Sequence, residues 1–204
     1  LYINAGDGAF RLARNSGLEY VGGTMGMTTG DFDNDGFLDV YLATGSPRYQ
    51  EPDRLYRNNG DGTFSEVTRE AGVFEVARGH GSVTGDFDED GRLDLYVSSG
   101  GKDPEHATVN VMCHNVGQVG NWMGVELAVD GYAINGAMVT LIAGDTIQVR
   151  QLGGGAGFGS VNSPVAHFGL GKRTSVDKVI VRWPDGHVQE VIKPPVNTIR
   201  VIRR

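Results

Sequence analysis

The sequence contains a single cysteine and no long apolar segment, and both absences limit what the protein can be. Cys113 has no partner in the chain, so an intramolecular disulfide is excluded. No run approaches the roughly 18 apolar residues that a membrane-spanning helix requires. No secretory leader is visible, but the chain opens on Leu1 rather than Met, which gives that absence little weight.

Positive charge is also scarce. The net charge is −7, and no basic patch of the kind that binds nucleic acid is present. Eight of the 25 acidic residues are concentrated in two short stretches. Two bound divalent cations would bring the total to about −3, which indicates that the acidity serves metal sites.

The first acidic stretch, Asp31 to Asp39, reads Asp-Phe-Asp-Asn-Asp-Gly-Phe-Leu-Asp, and Asp86 to Asp94 repeats its spacing 55 residues later. Crowded carboxylates repel one another unless a cation lies between them, and Ca²⁺ accepts six to eight oxygen ligands. Magnesium fits less well, because it prefers sites that keep several water ligands. We therefore predict two calcium loops. The predicted side-chain ligands are Asp31, Asp33, Asp35 and Asp39 in the first loop and Asp86, Asp88, Asp90 and Asp94 in the second.

Glycine at position 6 of each loop allows a sharp turn that points the carbonyl at position 7 inward. The predicted carbonyl ligands are therefore those of Phe37 and Arg92. The loops are not EF-hands, since position 12 is Leu42 or Val97 where an EF-hand has a bidentate Glu. Alternating apolar residues after each loop predict strands rather than helices.

A second motif has nearly the same period. Leu1 to Phe10 returns as Leu55 to Phe64, and Val111 to Asn115 is a weaker echo offset by a further 56 residues. Each unit of about 55 residues contains several short strands and one acidic hairpin, which is typical of a propeller blade.

These motifs together resemble the FG-GAP (VCBS, integrin-α-like) repeat family. The resemblance implies a calcium loop on each β-propeller blade, with the ligands given above. Two loops are too few to close a propeller, which needs four to eight blades. We expect the chain to be a piece of a longer protein, because Leu1 begins in the middle of a repeat.

The period stops near residue 119, and short alternating segments with turns predict a small β-sandwich-like domain. The predicted strands lie at 121–127, 137–142, 146–152, 176–182 and 188–192. Asn121-Trp122, His167 to Gly171 and Val181 to Gly186 resemble motifs of the ASPIC/UnbV domain, which follows FG-GAP repeats in cartilage acidic protein-like proteins. We therefore predict an all-β fold with two domains, 1–118 and 119–204.

Other candidate sites have simpler explanations. The glycine-rich stretch 153–159 lacks the Lys-Ser/Thr pair of a phosphate-binding P-loop. Cys113-His114 lacks further zinc ligands at suitable spacing, because the other histidines occur singly: His80, His106, His167 and His187. Trp122 and Trp183 are assigned to the core or its rim, and the C-terminal arginines to a solvated tail.

We expect a non-enzymatic, secreted adhesion or interaction module in which about two calcium ions are structural. Its partner would be a protein or a glycan, and its setting extracellular or periplasmic, where calcium is abundant. The alternative is a carbohydrate-binding or accessory part of an extracellular polysaccharide-active enzyme. No acid/base pair is available outside the loops to support that alternative.

Overall fold

The computed structural model describes residues 1–45, 51–73, 79–100, 109–129, 134–153 and 157–204. All sixteen regular elements in these ranges are β-strands, which confirms the predicted all-β class. No helix of the described residues is long and apolar enough to cross a membrane.

The first half of the chain forms sheets that follow the repeat. A hairpin of β1 (Tyr2–Asn4) and β2 (Phe10–Leu12) comes first. The strands of blade 1 are β3 (Thr24–Gly30), β4 (Asp39–Thr44), β5 (Arg54–Asn58) and β6 (Phe64–Glu66). The strands of blade 2 are β7 (Gly79–Gly85), β8 (Asp94–Ser99) and β9 (Val111–Cys113).

Within each blade, successive strands are antiparallel neighbours, in the order β3-β4-β5-β6 and β7-β8-β9. The β1–β2 hairpin corresponds to β5–β6 of blade 1, as the repeat of Leu1 to Phe10 at Leu55 to Phe64 predicts. This arrangement confirms the propeller-blade type of unit. Strand β3 of blade 1 lies beside β7 of blade 2, so the two blades share a core that includes Tyr41, Leu95 and Val97.

The second half forms two further sheets, here called the C-terminal sheets. Their strands are β10 (Asn121–Ala128), β11 (Met138–Ala143), β12 (Thr146–Gln151), β13 (Ala166–Gly171), β14 (Lys178–Arg182), β15 (Val188–Ile192) and β16 (Ile199–Arg203). One sheet has the order β13-β10-β16, and β10 runs parallel to β16. The other is antiparallel, in the order β12-β11-β14-β15.

Both C-terminal sheets contribute to one core, as expected of a small sandwich. Met123 of β10, Leu141 of β11 and Phe168 of β13 are fully buried there beside Trp183. Burying apolar side chains of this size contributes roughly 1.5–3 kcal/mol each. The predicted assignment of Trp183 to the core is therefore confirmed. The division of the chain at residue 118 stays a prediction.

The five predicted strands of this half are present, with ends shifted by one or two residues. Two strands were not predicted. Strand β13 is buried on both faces and contains Gly169, so it shows no alternation. The prediction of a solvated C-terminal tail is wrong for the backbone, because β16 pairs with β10, although the Arg200 and Arg203 side chains are exposed.

Candidate metal centre

The first acidic loop joins β3 to β4, as predicted, and its backbone is folded around Asp31. The amide of Asp35 donates to Asp31 Oδ1 at 3.0 Å, and the amide of Gly36 donates to Oδ2 at 3.0 Å. Gly36 has a φ of 103°, which the sharp turn requires and which side chains disfavour. The Asp31 carboxylate therefore lies at the centre of the loop.

Asp39, the first residue of β4, closes the same loop. Its Oδ2 accepts the amide of Phe32 at 3.0 Å, and its Oδ1 accepts the amide of Asn58 on β5 at 2.8 Å. One carboxylate thus ties the start of the loop, its end and the neighbouring strand together.

The second loop joins β7 to β8 and repeats this scaffold. Asp86 accepts the amides of Asp90 and Gly91 at 3.0 and 2.9 Å. Asp94 accepts the amides of Phe87 and Asn115 at 3.1 and 2.8 Å. The same spacing of residues in the two loops has therefore produced the same backbone fold.

Carboxylate oxygens of Asp31, Asp33 and Asp39 lie within 4.8 Å of one another, and Asp31 and Asp39 are buried. Burial, reinforced by the nearby Asp35 carboxylate, raises the pKa of Asp31 to about 7. Burial likewise raises the pKa of Asp39 to about 7. An all-oxygen set of carboxylates that are costly to ionise side by side fits a hard divalent cation.

The second loop offers a different donor set. Oxygens of Asp88 and Asp90 lie within 4.8 Å of a ring nitrogen of His114. His114 Nδ1 is 3.1 Å from Asp94 Oδ1, and Nε2 is 3.6 Å from Asp88 Oδ2. The guanidinium of Arg92 also pairs with Asp90. This loop can hold a cation, but it carries a basic side chain that the first loop lacks at position 7.

The structure therefore brings three predicted ligands of the first loop together, and two of the second. Asp35, Asp86 and Asp94 lie in the same loops but outside these close groupings. The Asp35 carboxylate accepts the amide of Phe37 at 2.8 Å. The roles of the Phe37 and Arg92 carbonyls stay predictions.

His114 is the residue that sequence reasoning missed. Strand pairing aligns Cys113 with Leu95 where Tyr56 aligns with Val40, so the third echo is offset by 57 residues rather than 56. His114 then occupies the position of Arg57 in blade 1. The available signal was Asn-x-Gly: in each echo the glycine amide donates to the asparagine side chain. The pairs are Gly6–Asn4, Gly60–Asn58 and Gly117–Asn115, at 2.9, 3.0 and 3.0 Å.

The remaining candidates are placed as follows. Residues 154–156 of the glycine-rich stretch and His106 lie outside the described residues. His167 makes the structural hydrogen bond expected of it, with Nε2 3.2 Å from the Gly91 carbonyl oxygen. Trp122 stacks on the His167 ring at a centroid distance of 5.8 Å. Cys113 is a half-buried free thiol.

Comparison with known families agrees with this architecture. Residues 1–42 and 42–97 each match the FG-GAP-like repeat, and residues 130–204 match the ASPIC and UnbV family. The chain therefore consists of FG-GAP-like repeats followed by an ASPIC and UnbV domain.

Among individual proteins, the chain is distantly similar to cartilage acidic protein 1. It is 35% identical to the human protein over 166 residues, which is 78% of this chain and 25% of the relative. Identity to the mouse protein is 36% over 162 residues, covering 76% of this chain and 25% of the relative. Identity to the Xenopus tropicalis protein is 31% over 177 residues, covering 83% and 27%. The chain spans about a quarter of the length of these relatives.

Proposed function

We propose that this protein is a non-enzymatic interaction module that uses calcium as a structural ion. The observation that carries the proposal is the buried grouping of Asp31, Asp33 and Asp39, which needs a cation if all three carboxylates are to be ionised. An ion there would link the start of the loop to β4 and, through Asp39, to β5. Its role would be to fix the edge of blade 1.

Calcium is the ion of choice because every donor in the first loop is oxygen and the loop supplies several carboxylates. The proposal assigns about two ions, one in each loop, with Asp31, Asp33, Asp35, Asp39 and the Phe37 carbonyl around the first. The second would use the matching residues. At a hundredfold excess over the dissociation constant, each ion would stabilise the fold by about 2.7 kcal/mol.

Adhesion through a protein or glycan partner is the second part of the proposal. Phe37 and Phe87 expose about half of their surface, 46% and 53%, in the two acidic loops. Exposed aromatic side chains beside ordered loops support a contact surface that calcium would hold in shape. An extracellular or periplasmic setting follows, because loops of modest affinity fill only where calcium is abundant.

The test compares Asp33→Ala and Asp88→Ala with the unmutated protein by thermal unfolding, in calcium and in chelator. Calcium should raise the Tm of the unmutated chain, and each substitution should remove most of the contribution of its own loop. Identical melting curves of the unmutated protein with and without calcium would refute the calcium sites.

A carbohydrate-binding or accessory role in a polysaccharide-active enzyme is the second candidate. A cavity of about 420 Å³ lies between the blades, and Arg57, Glu70 and His114 are among its lining residues. A glycan array run beside a reducing-sugar assay separates the possibilities. Binding without product release supports the non-enzymatic module, whereas turnover that survives substitution of the loop aspartates would support an enzyme.

A further inference from the structure

The first acidic loop is completed by the C-terminal sheets. The amide of Gly169 on β13 donates to Asp31 Oδ2 at 3.1 Å, across 138 residues of sequence. The amide of Gly171 donates to the Asn34 carbonyl at 2.6 Å, and that of Gly120 to the Asp33 carbonyl at 3.3 Å. One predicted metal ligand therefore receives a hydrogen bond from outside its own blade.

The position of this donor is tightly constrained. A Cβ atom on Gly169 would lie 2.1 Å from Asp31 Oδ2 and 2.5 Å from the backbone of Asn34, so no side chain fits there. The Gly169 carbonyl accepts the side-chain amide of Gln148, a buried residue of β12, at 2.7 Å. Strands β12 and β13 thus hold the Gly169 amide against the carboxylate.

The second loop is tied into the same interface through one backbone oxygen. The Gly91 carbonyl lies 2.9 Å from Asn34 Nδ2 and 3.2 Å from His167 Nε2. Trp122, stacked on His167, packs so closely on Gly91 that a Cβ there would lie 1.9 Å from its Nε1 atom. Both acidic loops and both β10 and β13 therefore meet at one junction.

We propose that the C-terminal sheets act as a positioning surface for the Asp31 carboxylate, so that calcium binding in the first loop and docking of these sheets on the blades strengthen each other. The inference rests on the proposed calcium site. Groups that orient a metal ligand typically change metal affinity by about 10–100-fold. Because linkage is reciprocal, an interface that favours the ion must be favoured by it to the same extent.

Hydrogen exchange on the full chain, followed residue by residue by NMR, tests the docking side. We expect calcium to slow exchange of the Gly169 and Gly171 amides by about tenfold or more. Amides of the β14–β15 ladder, which lie away from the loops, should slow less. Calcium titration by calorimetry on the same sample establishes independently whether the ion binds.

Variants test the reciprocal side. Gly169→Ala should weaken calcium binding in the first loop by about tenfold or more, because the added methyl group displaces the Asp31 carboxylate. Trp122→Ala is the milder variant, which loosens the junction at Gly91 without placing an atom inside the loop. Gly186→Ala is the matched control: it lies in the same sheets, also at positive φ, with nothing within 4 Å of the added atom.

The outcomes separate the two proposals. Calcium binding with slowed interface amides and weakened affinity in Gly169→Ala and Trp122→Ala, but not in Gly186→Ala, supports the coupling. Calcium binding with unchanged interface amides, or equal weakening in all three variants, overturns the coupling and leaves the calcium site standing. Absence of calcium binding in the unmutated protein overturns both.

Discussion

Arg92 and Asp90, two residues apart in the second acidic loop, form an ion pair that has no counterpart in the first loop. Phe37 occupies the position of Arg92 there, so the Asp35 carboxylate has no basic neighbour within its own loop. The two loops share one backbone scaffold but differ in the positive charge that they already contain. This difference should appear in their affinities for a cation.

Arg92→Phe, which copies the first loop, should strengthen calcium binding in the second loop. The guanidinium competes with an added ion for the Asp90 carboxylate, and a partly exposed pair of this kind is worth about 1 kcal/mol or less. The expected gain is therefore up to about fivefold in affinity. Calorimetric titration measures it, and Arg92→Lys, which keeps the charge, is the control. An unchanged affinity in Arg92→Phe would mean that the pair opens at no cost.

The stability of the calcium-free protein should fall as the pH rises from about 4 to above 7. Burial raises the pKa of Asp31 and of Asp39 from 3.8 to about 7, so the folded protein holds protons that the unfolded chain has released. The stabilisation is complete below the unfolded pKa and is lost as the pH rises through the folded pKa.

Thermal unfolding of calcium-stripped protein at pH 5.5 and pH 8 measures this effect, and the Tm should be higher at pH 5.5. Saturating calcium should stabilise more at pH 8, because the ion requires ionised ligands. The double variant Asp31→Asn, Asp39→Asn should flatten the pH dependence. A higher Tm at pH 8 without calcium would contradict the prediction.

Asp53 should be among the most sensitive positions of blade 1. It is fully buried, and its carboxylate accepts the Thr44 amide at 2.8 Å, the Thr44 hydroxyl at 3.0 Å and the Tyr41 hydroxyl at 2.7 Å. Asp53→Ala leaves these donors unsatisfied and should cost at least about 2 kcal/mol in urea denaturation. Tyr41→Phe removes one of the bonds and should cost about 1 kcal/mol. Equal losses in the two variants would argue against a shared network.

Phe168→Ala should destabilise the C-terminal sheets by about 3–5 kcal/mol, because the ring is fully buried in their core and its loss leaves a cavity. Val188→Ala, at a position that is 49% exposed, is the control and should stay within about 0.5 kcal/mol. Urea denaturation gives both values. A small effect of Phe168→Ala would indicate that the core collapses around the missing ring.

The local parts of the fold could be predicted from the sequence because their determinants are close together in the chain. The Asp31 and Asp86 loops contain their own turn glycines and most of the carboxylates' hydrogen-bond donors, so the repeat of nine residues was enough to identify them. Strands β11, β12, β14 and β15 alternate because one face is buried. The ends of β13 and β16 carried no such pattern, since one is buried on both faces and the other was disguised by its arginines.

The composition and the two acidic repeats by themselves determined the fold class and the place where a cation would bind. Only the tertiary structure decided that His114 stands beside the second loop, because two additional residues between β8 and β9 shift the register that the echo suggested. It also decided that Gly169 completes the first loop. Contacts between residues 138 positions apart arise when two sheets pack on each other, and no local spacing records which surfaces will meet.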